Sequence, residues 1–115
     1  MLGPILVVED DSDIREILFR GLTMLGYDVK TAENGKVALD LLREGAFRPK
    51  LILLDLMMPI MDGFEFHESQ KMDPKISDIP VIVVTADGQA EAKAQRMGAT
   101  GGLSVSFNPF VNDGI

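Results

Sequence analysis

Apolar residues in this chain follow two alternating spacings. Short continuous apolar runs rich in β-branched residues are typical of strands that are buried on both faces. Such runs occupy residues 5–8, 51–54 and 81–84, with weaker strand candidates at 28–32 and 102–106. Apolar residues at three- and four-residue steps predict amphipathic helices between them. These helices are expected over about 12–25, 34–45, 63–72 and 89–97. The strict alternation predicts an α/β fold with a parallel sheet covered by helices on both faces.

Residues at the ends of these segments support the predicted helices. Ser12 or Asp13 can cap the first helix, and Gly26 can close it. Asn34 is placed to cap the second helix, which should end near Gly45. The third helix has a poor apolar stripe, because its inward positions include a histidine and a glutamine. This lone histidine, His67, is interpreted as a helix-face residue without chemistry, since the surrounding pattern is not a helical bundle.

The composition excludes or disfavours several classes of function. The 115 residues suffice for one domain, expected to span 1–115, with 46% hydrophobic and 25% charged residues. The absence of cysteine excludes disulfides and thiolate metal sites. A formal net charge of −7 disfavours direct binding of nucleic acid. No signal peptide or apolar run of 18 residues is found, so we expect a cytoplasmic protein without a membrane segment.

Polar residues follow three of the predicted strands where each strand ends. Glu9 and Asp10 follow the first strand, Asp55 ends the third, and Thr85 ends the fourth. In a parallel sheet these side chains share one edge, which is where such folds bind ligands. Two carboxylates about 5 Å apart repel by roughly 3 kcal/mol at an effective dielectric near 20. A hard divalent cation would compensate, although an acid after a strand can instead cap the next helix.

Four sequence strings, in this order and spacing, resemble one family. ILVVEDD, LILLDLMMPIMDGFEF, PVIVVTA and GATG are similar to the receiver domains of two-component response regulators, and the similarity runs from Ile5 to about Phe110. The resemblance implies a doubly wound, flavodoxin-like receiver fold with five parallel strands in the order 2-1-3-4-5. It also implies a phosphorelay signalling module, and an aspartyl phosphoprotein rather than an enzyme with its own turnover substrate.

Carried over position by position, the resemblance implies a metal-assisted phosphoacceptor. Asp55 resembles the aspartate that receives the phosphoryl group. Glu9 and Asp10 resemble the acidic pair that binds Mg²⁺, or Mn²⁺ in its place, with Asp10 as the direct ligand. Met57 lies where the family offers a backbone carbonyl to the metal, so the implied metal site is Glu9, Asp10, Asp55 and Met57.

The resemblance also implies the remaining contacts and the partners. Thr85 resembles the hydroxyl residue that bonds a phosphoryl oxygen, and Ala86 would offer a backbone N–H beside it. The phosphoryl donor would be a sensor histidine kinase or a phosphotransfer protein. Output would pass to an unidentified downstream protein, and the sequence does not indicate an oligomeric state.

The chain departs from the family near its end. An ungapped alignment places Val105 at the family's strand-five lysine, and a gapped one places Asn108 there, so no lysine is present in either. Gly102 stands where the family has an aromatic switch residue. The last helix is expected to be a truncated stub over residues 108–115.

These departures support a second hypothesis, a pseudo-receiver that binds proteins without phosphorylation. An aspartate-dependent phosphohydrolase is a weaker third, because Met57 stands where those enzymes carry their second aspartate.

Overall fold

Strands and helices alternate along the chain as the hydrophobic pattern predicts. The computed structural model describes residues 2–85 and 88–104. The strands are β1 (Leu2–Val8), β2 (Tyr27–Ala32), β3 (Leu51–Asp55), β4 (Val81–Thr85) and β5 (Gly101–Ser104). The helices are α1 (Ser12–Met24), α2 (Gly35–Glu44), α3 (Gly63–Lys71) and α4 (Ala90–Met97). The five strands and the first four helices that were predicted are therefore confirmed, with boundaries that differ by a few residues.

The strands form one parallel sheet in the order β2-β1-β3-β4-β5. This order confirms the doubly wound, flavodoxin-like arrangement. The direction of winding reverses between β1 and β3, where Val8 pairs with Leu54. The carboxyl ends of these two neighbouring strands therefore open the crevice at which such sheets bind ligands.

The sheet is covered on both faces because the strand runs carry apolar residues at consecutive positions. Alternate residues of a strand point to opposite faces. Leu6 and Val8 belong to the larger core, which α2, α3 and α4 cover. Ile5 and Val7 belong to a smaller core, against which α1 packs through Leu18. Continuous apolar runs are thus explained by burial from both sides.

Helix ends are fixed by side chains, with one difference from the prediction. Asp11, not Ser12 or Asp13, caps α1, because its carboxylate accepts hydrogen bonds from the amides of Asp13 and Ile14. Asn34 caps α2 as predicted. The cap of α1 therefore lies one or two residues earlier than predicted.

The weak apolar stripe of α3 is explained by a buried hydrogen-bonded chain. Gln70 is fully buried and donates to the carbonyls of Ile76 and Ile79, at 2.9 and 3.0 Å. His67 Nδ1 lies 3.0 Å from Gln70 Oε1. The polar residues therefore tie α3 to the loop that leads into β4, in addition to the buried apolar side chain of Phe66.

Helix α4 packs unusually close to β5. A Cβ built on Gly102 would overlap the backbone of Ala90 and Glu91 in the first turn of α4. The absence of a side chain at Gly102 thus allows α4 to lie directly against β5.

Several predictions concern residues outside 2–85 and 88–104. These are the alignment of Val105 or Asn108 with the family lysine, the stub of the last helix, and the role of Ala86. Across the part of the chain that is described, the helices are too short and too polar to cross a membrane.

Candidate functional site

Three carboxylates meet at the switch point of the sheet, as the strand ends predicted. Asp55 is the last residue of β3, and Glu9 directly follows β1. Because Val8 pairs with Leu54, the next residue of each strand falls side by side. Carboxylate oxygens of Glu9, Asp10 and Asp55 lie within 4.8 Å of one another. Glu9 is buried, Asp55 is half-buried and Asp10 is exposed, so the cluster opens to solvent on the Asp10 side.

Gathering these acids raises the energy of their charged forms. Burial, together with the carboxyl group of Asp55, raises the pKa of Glu9 to about 8. Burial also raises the pKa of Asp55 above its usual value, with the carboxyl of Asp10 adding to the shift. Loss of water and like charge both disfavour ionisation. The negative charge of the cluster is therefore not balanced within it, and a proton or a metal ion can balance it.

The loop from β1 to α1 is held by groups that position the acidic pair. The amide of Asp11 donates to Glu9 Oε2 at 3.1 Å, while Arg15 donates to the backbone carbonyls of Glu9 and Asp10 at 2.9 and 3.3 Å. Both of these bonds from Arg15 go to carbonyls and not to carboxylates. Arg15 was not predicted to take part in the site, and the signal for it in the sequence is its place in the first turn of α1, just after the acidic pair.

The loop after β3 presents Met57 and turns sharply into α3. The Met57 amide donates to Asp55 Oδ1 at 3.3 Å, and the Met57 side chain is 76% exposed. A Cβ on Gly63 would overlap the carbonyl oxygen of Asp55, so only glycine allows α3 to start here. Ile60 has φ of +69°, a conformation that a β-branched residue rarely adopts and that the sequence did not indicate.

Thr85 ends β4 at the same edge of the sheet. Val84 pairs with Asp55, so Thr85 lies one residue beyond that pair, and it is half-buried. The structure therefore brings Thr85 to the edge that carries the acids. Ala86, predicted to offer an N–H here, lies outside the described residues.

The donor set fits a hard divalent cation. Carboxylate and carbonyl oxygens are the ligands that Mg²⁺ prefers, and it is commonly held by one or two carboxylates. Glu9, Asp10 and Asp55 offer such oxygens within reach of a single ion. Receiver domains generally bind Mg²⁺, and this cluster could hold one.

The sequence matches the response regulator receiver domain family over residues 5–109. The chain therefore belongs to this family, whose members are receiver domains of response regulators in two-component systems. It is 45% identical over 85 residues to a probable transcriptional regulator, ycf27, of Porphyra purpurea, covering 74% of this chain and 33% of the relative. It is 37% identical over 107 residues to the phosphate regulon transcriptional regulatory protein PhoB of Pseudomonas aeruginosa, covering 91% and 46%. The chain thus spans between a third and a half of these two curated relatives.

Solved structures show the same fold. The N-terminal domain of a response regulator receiver protein from Methanoculleus marisnigri JR1 superposes with a TM-score of 0.84 at 36% identity, covering 93% of this chain and 87% of that one. The phosphorylated cyanobacterial phytochrome response regulator RcpA has a TM-score of 0.80 at 28% identity, covering 94% and 84%. The Mn²⁺-bound form of the response regulator Rcp1 has a TM-score of 0.80 at 27% identity, with the same coverage.

The family fixes the class of the protein. Its members are in general signalling domains rather than metabolic enzymes, and they interact with a histidine kinase or phosphotransfer partner. Membership does not favour the pseudo-receiver alternative. The extent of the domain over residues 1–115 stays a prediction.

Proposed function

We propose that this chain is a phosphoacceptor that receives a phosphoryl group on Asp55 from a phosphohistidine, in a reaction that depends on Mg²⁺. The observation that carries the proposal is the convergence of Glu9, Asp10 and Asp55 within 4.8 Å at the switch point of the sheet. The phosphorylated RcpA and the Mn²⁺-bound Rcp1 have the same fold and support both parts of it. The donor would be a sensor histidine kinase or a phosphotransfer protein, and the downstream protein is unidentified.

Asp10, Asp55 and the carbonyl of Met57 would hold the metal ion, with Glu9 beside them. The raised pKa values of Glu9 and Asp55 reflect burial and the neighbouring carboxyl groups, and a bound cation would favour the charged forms of both residues. When bound, the ion would offset the negative charge on the transferring phosphoryl oxygens. Mn²⁺ carries the same charge and would substitute for Mg²⁺.

The chemical step needs little beyond alignment. A carboxylate oxygen of Asp55 attacks the phosphorus of the phosphohistidine, a P–O bond forms, and the P–N bond breaks as the imidazole leaves and takes a proton. The bond from the Met57 amide to Oδ1 holds the orientation of the Asp55 carboxylate. The Thr85 hydroxyl would donate to a phosphoryl oxygen of the product, beside the N–H of Ala86. No substrate turnover is expected beyond phosphorylation and dephosphorylation of the domain itself.

The test is labelling by a small phosphodonor. Purified protein is incubated with acetyl phosphate and Mg²⁺, and the intact mass is compared with that of Asp55→Asn. An amide is not a competent nucleophile, so the variant should gain no phosphoryl group. Asp28→Asn, the same change at an exposed residue of β2, is the matched control and should be labelled like the wild type. Equal labelling of Asp55→Asn would contradict the assignment, and absence of labelling in the wild type would favour the pseudo-receiver.

A further inference from the structure

A groove lies between α3 and α4 and shares no residue with the acidic cluster. Its cavity volume is about 570 Å³, within the range of ligand-binding clefts. Phe64, His67, Glu68 and Lys71 line one wall at the three- and four-residue spacing of a single helix face. Lining residues of α3 span about 10 Å along the helix axis, enough to lie along roughly two turns of a helical ligand.

Positive charge dominates the rim of this groove. Among the residues that the structure describes, Lys71 of α3 and Lys93 and Arg96 of α4 are the basic side chains of the lining, and Glu68 is the acidic one, so basic groups outnumber acidic ones there. The ammonium group of Lys71 lies beside Gly98, where α4 ends. This excess contrasts with the net charge of −7 for the whole chain. The groove is therefore a local attractor for an acidic ligand.

Apolar surface accompanies the charge. Phe64 is 44% exposed on the α3 wall, and Met97 is half-buried on the α4 wall. Exposed aromatic and methionine side chains are enriched in protein interfaces. A purely ionic ligand would leave these side chains unused, whereas an amphipathic one would cover them.

His67 has a buried polar atom without a partner beneath this wall. Both hydrogen bonds from Gln70 Nε2 go to backbone carbonyls, so Gln70 Oε1 accepts, and His67 Nδ1 is the donor. Nε2 is then an acceptor, and among the described residues it has no partner although His67 is 94% buried. An unpaired buried acceptor is unfavourable, but Nε2 is not exposed to the groove, so a ligand would contact the charged and apolar side chains instead.

We propose that the groove between α3 and α4 binds an acidic, amphipathic segment of a partner protein. Carboxylates of the segment would pair with Lys71 and Arg96, and its apolar side chains would cover Phe64 and Met97. A nucleic acid is disfavoured, because the net charge of −7 repels a phosphate backbone. The proposal does not depend on phosphorylation of Asp55, since the two sites share no residue.

The test uses a defined probe. A fluorescein-labelled peptide of about three helical turns, with Glu and Leu at helical spacing, is titrated with the protein and followed by fluorescence anisotropy. We expect binding that weakens with salt, and at least roughly a tenfold loss of affinity in Arg96→Glu and in Phe64→Ala. Both residues are exposed, so these variants should fold. Lys50→Glu makes the same charge change at an exposed residue before β3 and should change affinity less than about twofold.

Four results would overturn the proposal. One is equal binding of a matched peptide with Lys in place of Glu. Another is an equal loss of affinity in Lys50→Glu, because general charge attraction would then explain the binding. A third is competition by a single-stranded oligonucleotide as strong as that by unlabelled peptide. The last is self-association in sedimentation velocity that Arg96→Glu abolishes, since a second copy would then occupy the groove.

Discussion

At the scale of single residues, the acidic site combines burial with like charge in a way that only the folded chain reveals. Glu9 and Asp55 are 46 positions apart in sequence, and the pairing of Val8 with Leu54 makes them neighbours. The sequence indicated that acids gather at one edge of the sheet. It could not indicate that Glu9 would be 94% buried while Asp10 stays exposed, because that difference depends on which way each side chain leaves the strand end.

The raised pKa of Glu9 predicts that the metal-free protein loses stability as pH rises. The folded-state pKa is about 8 against 4.5 for the ordinary carboxyl. A raised folded-state pKa contributes stability that is present below about 4.5 and is lost as pH rises through about 8. Glu9→Gln cannot lose this proton, so in chelator its unfolding free energy relative to wild type should rise between pH 5 and 9, on the order of a few kcal/mol.

Urea denaturation at several pH values measures this difference. Glu44→Gln, at an exposed residue at the end of α2, is the control and should run parallel to the wild type. A Glu9→Gln curve that also runs parallel would mean that Glu9 is ionised at neutral pH without cost.

The conformation of Ile60 predicts a stabilising substitution. Its φ of +69° places a β-branched residue in the left-handed region, at a cost of roughly 1–2 kcal/mol. The side chain is 79% exposed, so its removal forfeits little burial. Ile60→Gly should therefore raise the free energy of unfolding by up to about 1 kcal/mol, after the greater unfolded-state freedom of glycine is allowed for. Thermal or urea unfolding measures this change in stability, and Ile60→Val, which keeps the branched Cβ, is the control. A loss of stability in Ile60→Gly would show that this loop is not strained.

At the scale of secondary-structure elements, most boundaries could be predicted, because caps and breakers are local signals. Asn34, Gly45 and Gly98 bound their helices as the sequence suggested. The cap of α1 was misplaced by one or two residues, since three acids and a serine in a row all suit that position. Contacts between elements were less accessible: nothing local shows that Gly63 starts α3 against Asp55 or that Gly102 lies under α4.

The contact between Gly102 and α4 predicts that even one methyl group will disturb this helix. A Cβ at Gly102 would overlap the backbone of Ala90, which cannot move without shifting the first turn of α4. Gly102→Ala should cost roughly 1–3 kcal/mol and shift the amide resonances of α4. Gly21→Ala is the matched control: Gly21 lies within α1 with open space around its Cβ position, and should gain about 0.5–1 kcal/mol. An unperturbed α4 in Gly102→Ala would mean that the helix does not depend on this close approach.

At the scale of the whole molecule, the domain has two separate charged regions. The three carboxylates converge at the carboxyl ends of β1 and β3, and the basic groove lies between α3 and α4. Alternating hydrophobic periods predicted the layers and the edge at which the acids meet. The groove was not predicted, because its walls come from two helices, and which of their residues face each other is visible only when α3 and α4 lie side by side. His67 illustrates this: the sequence interpretation as a helix-face residue without chemistry stays a prediction, and its burial beside Gln70 was visible only in the fold.

Metal binding at the acidic cluster should stabilise the entire fold. An ion that binds the native state alone, at about a hundred times its Kd, adds about 2.7 kcal/mol, which for a domain of this size is roughly 10 °C in Tm. Mg²⁺ should therefore raise Tm above that in NaCl of equal ionic strength, because general screening of the net charge of −7 is matched in both solutions. Asp10→Ala removes an exposed carboxylate of the cluster and should abolish most of the specific rise, whereas Asp28→Ala, an exposed acid of β2, should leave it intact. Titration calorimetry on the same three proteins measures the affinity for Mg²⁺ directly. Equal affinities in wild type and Asp10→Ala would mean that the metal binds elsewhere. An equal rise of Tm in NaCl would mean that charge screening alone explains the stabilisation.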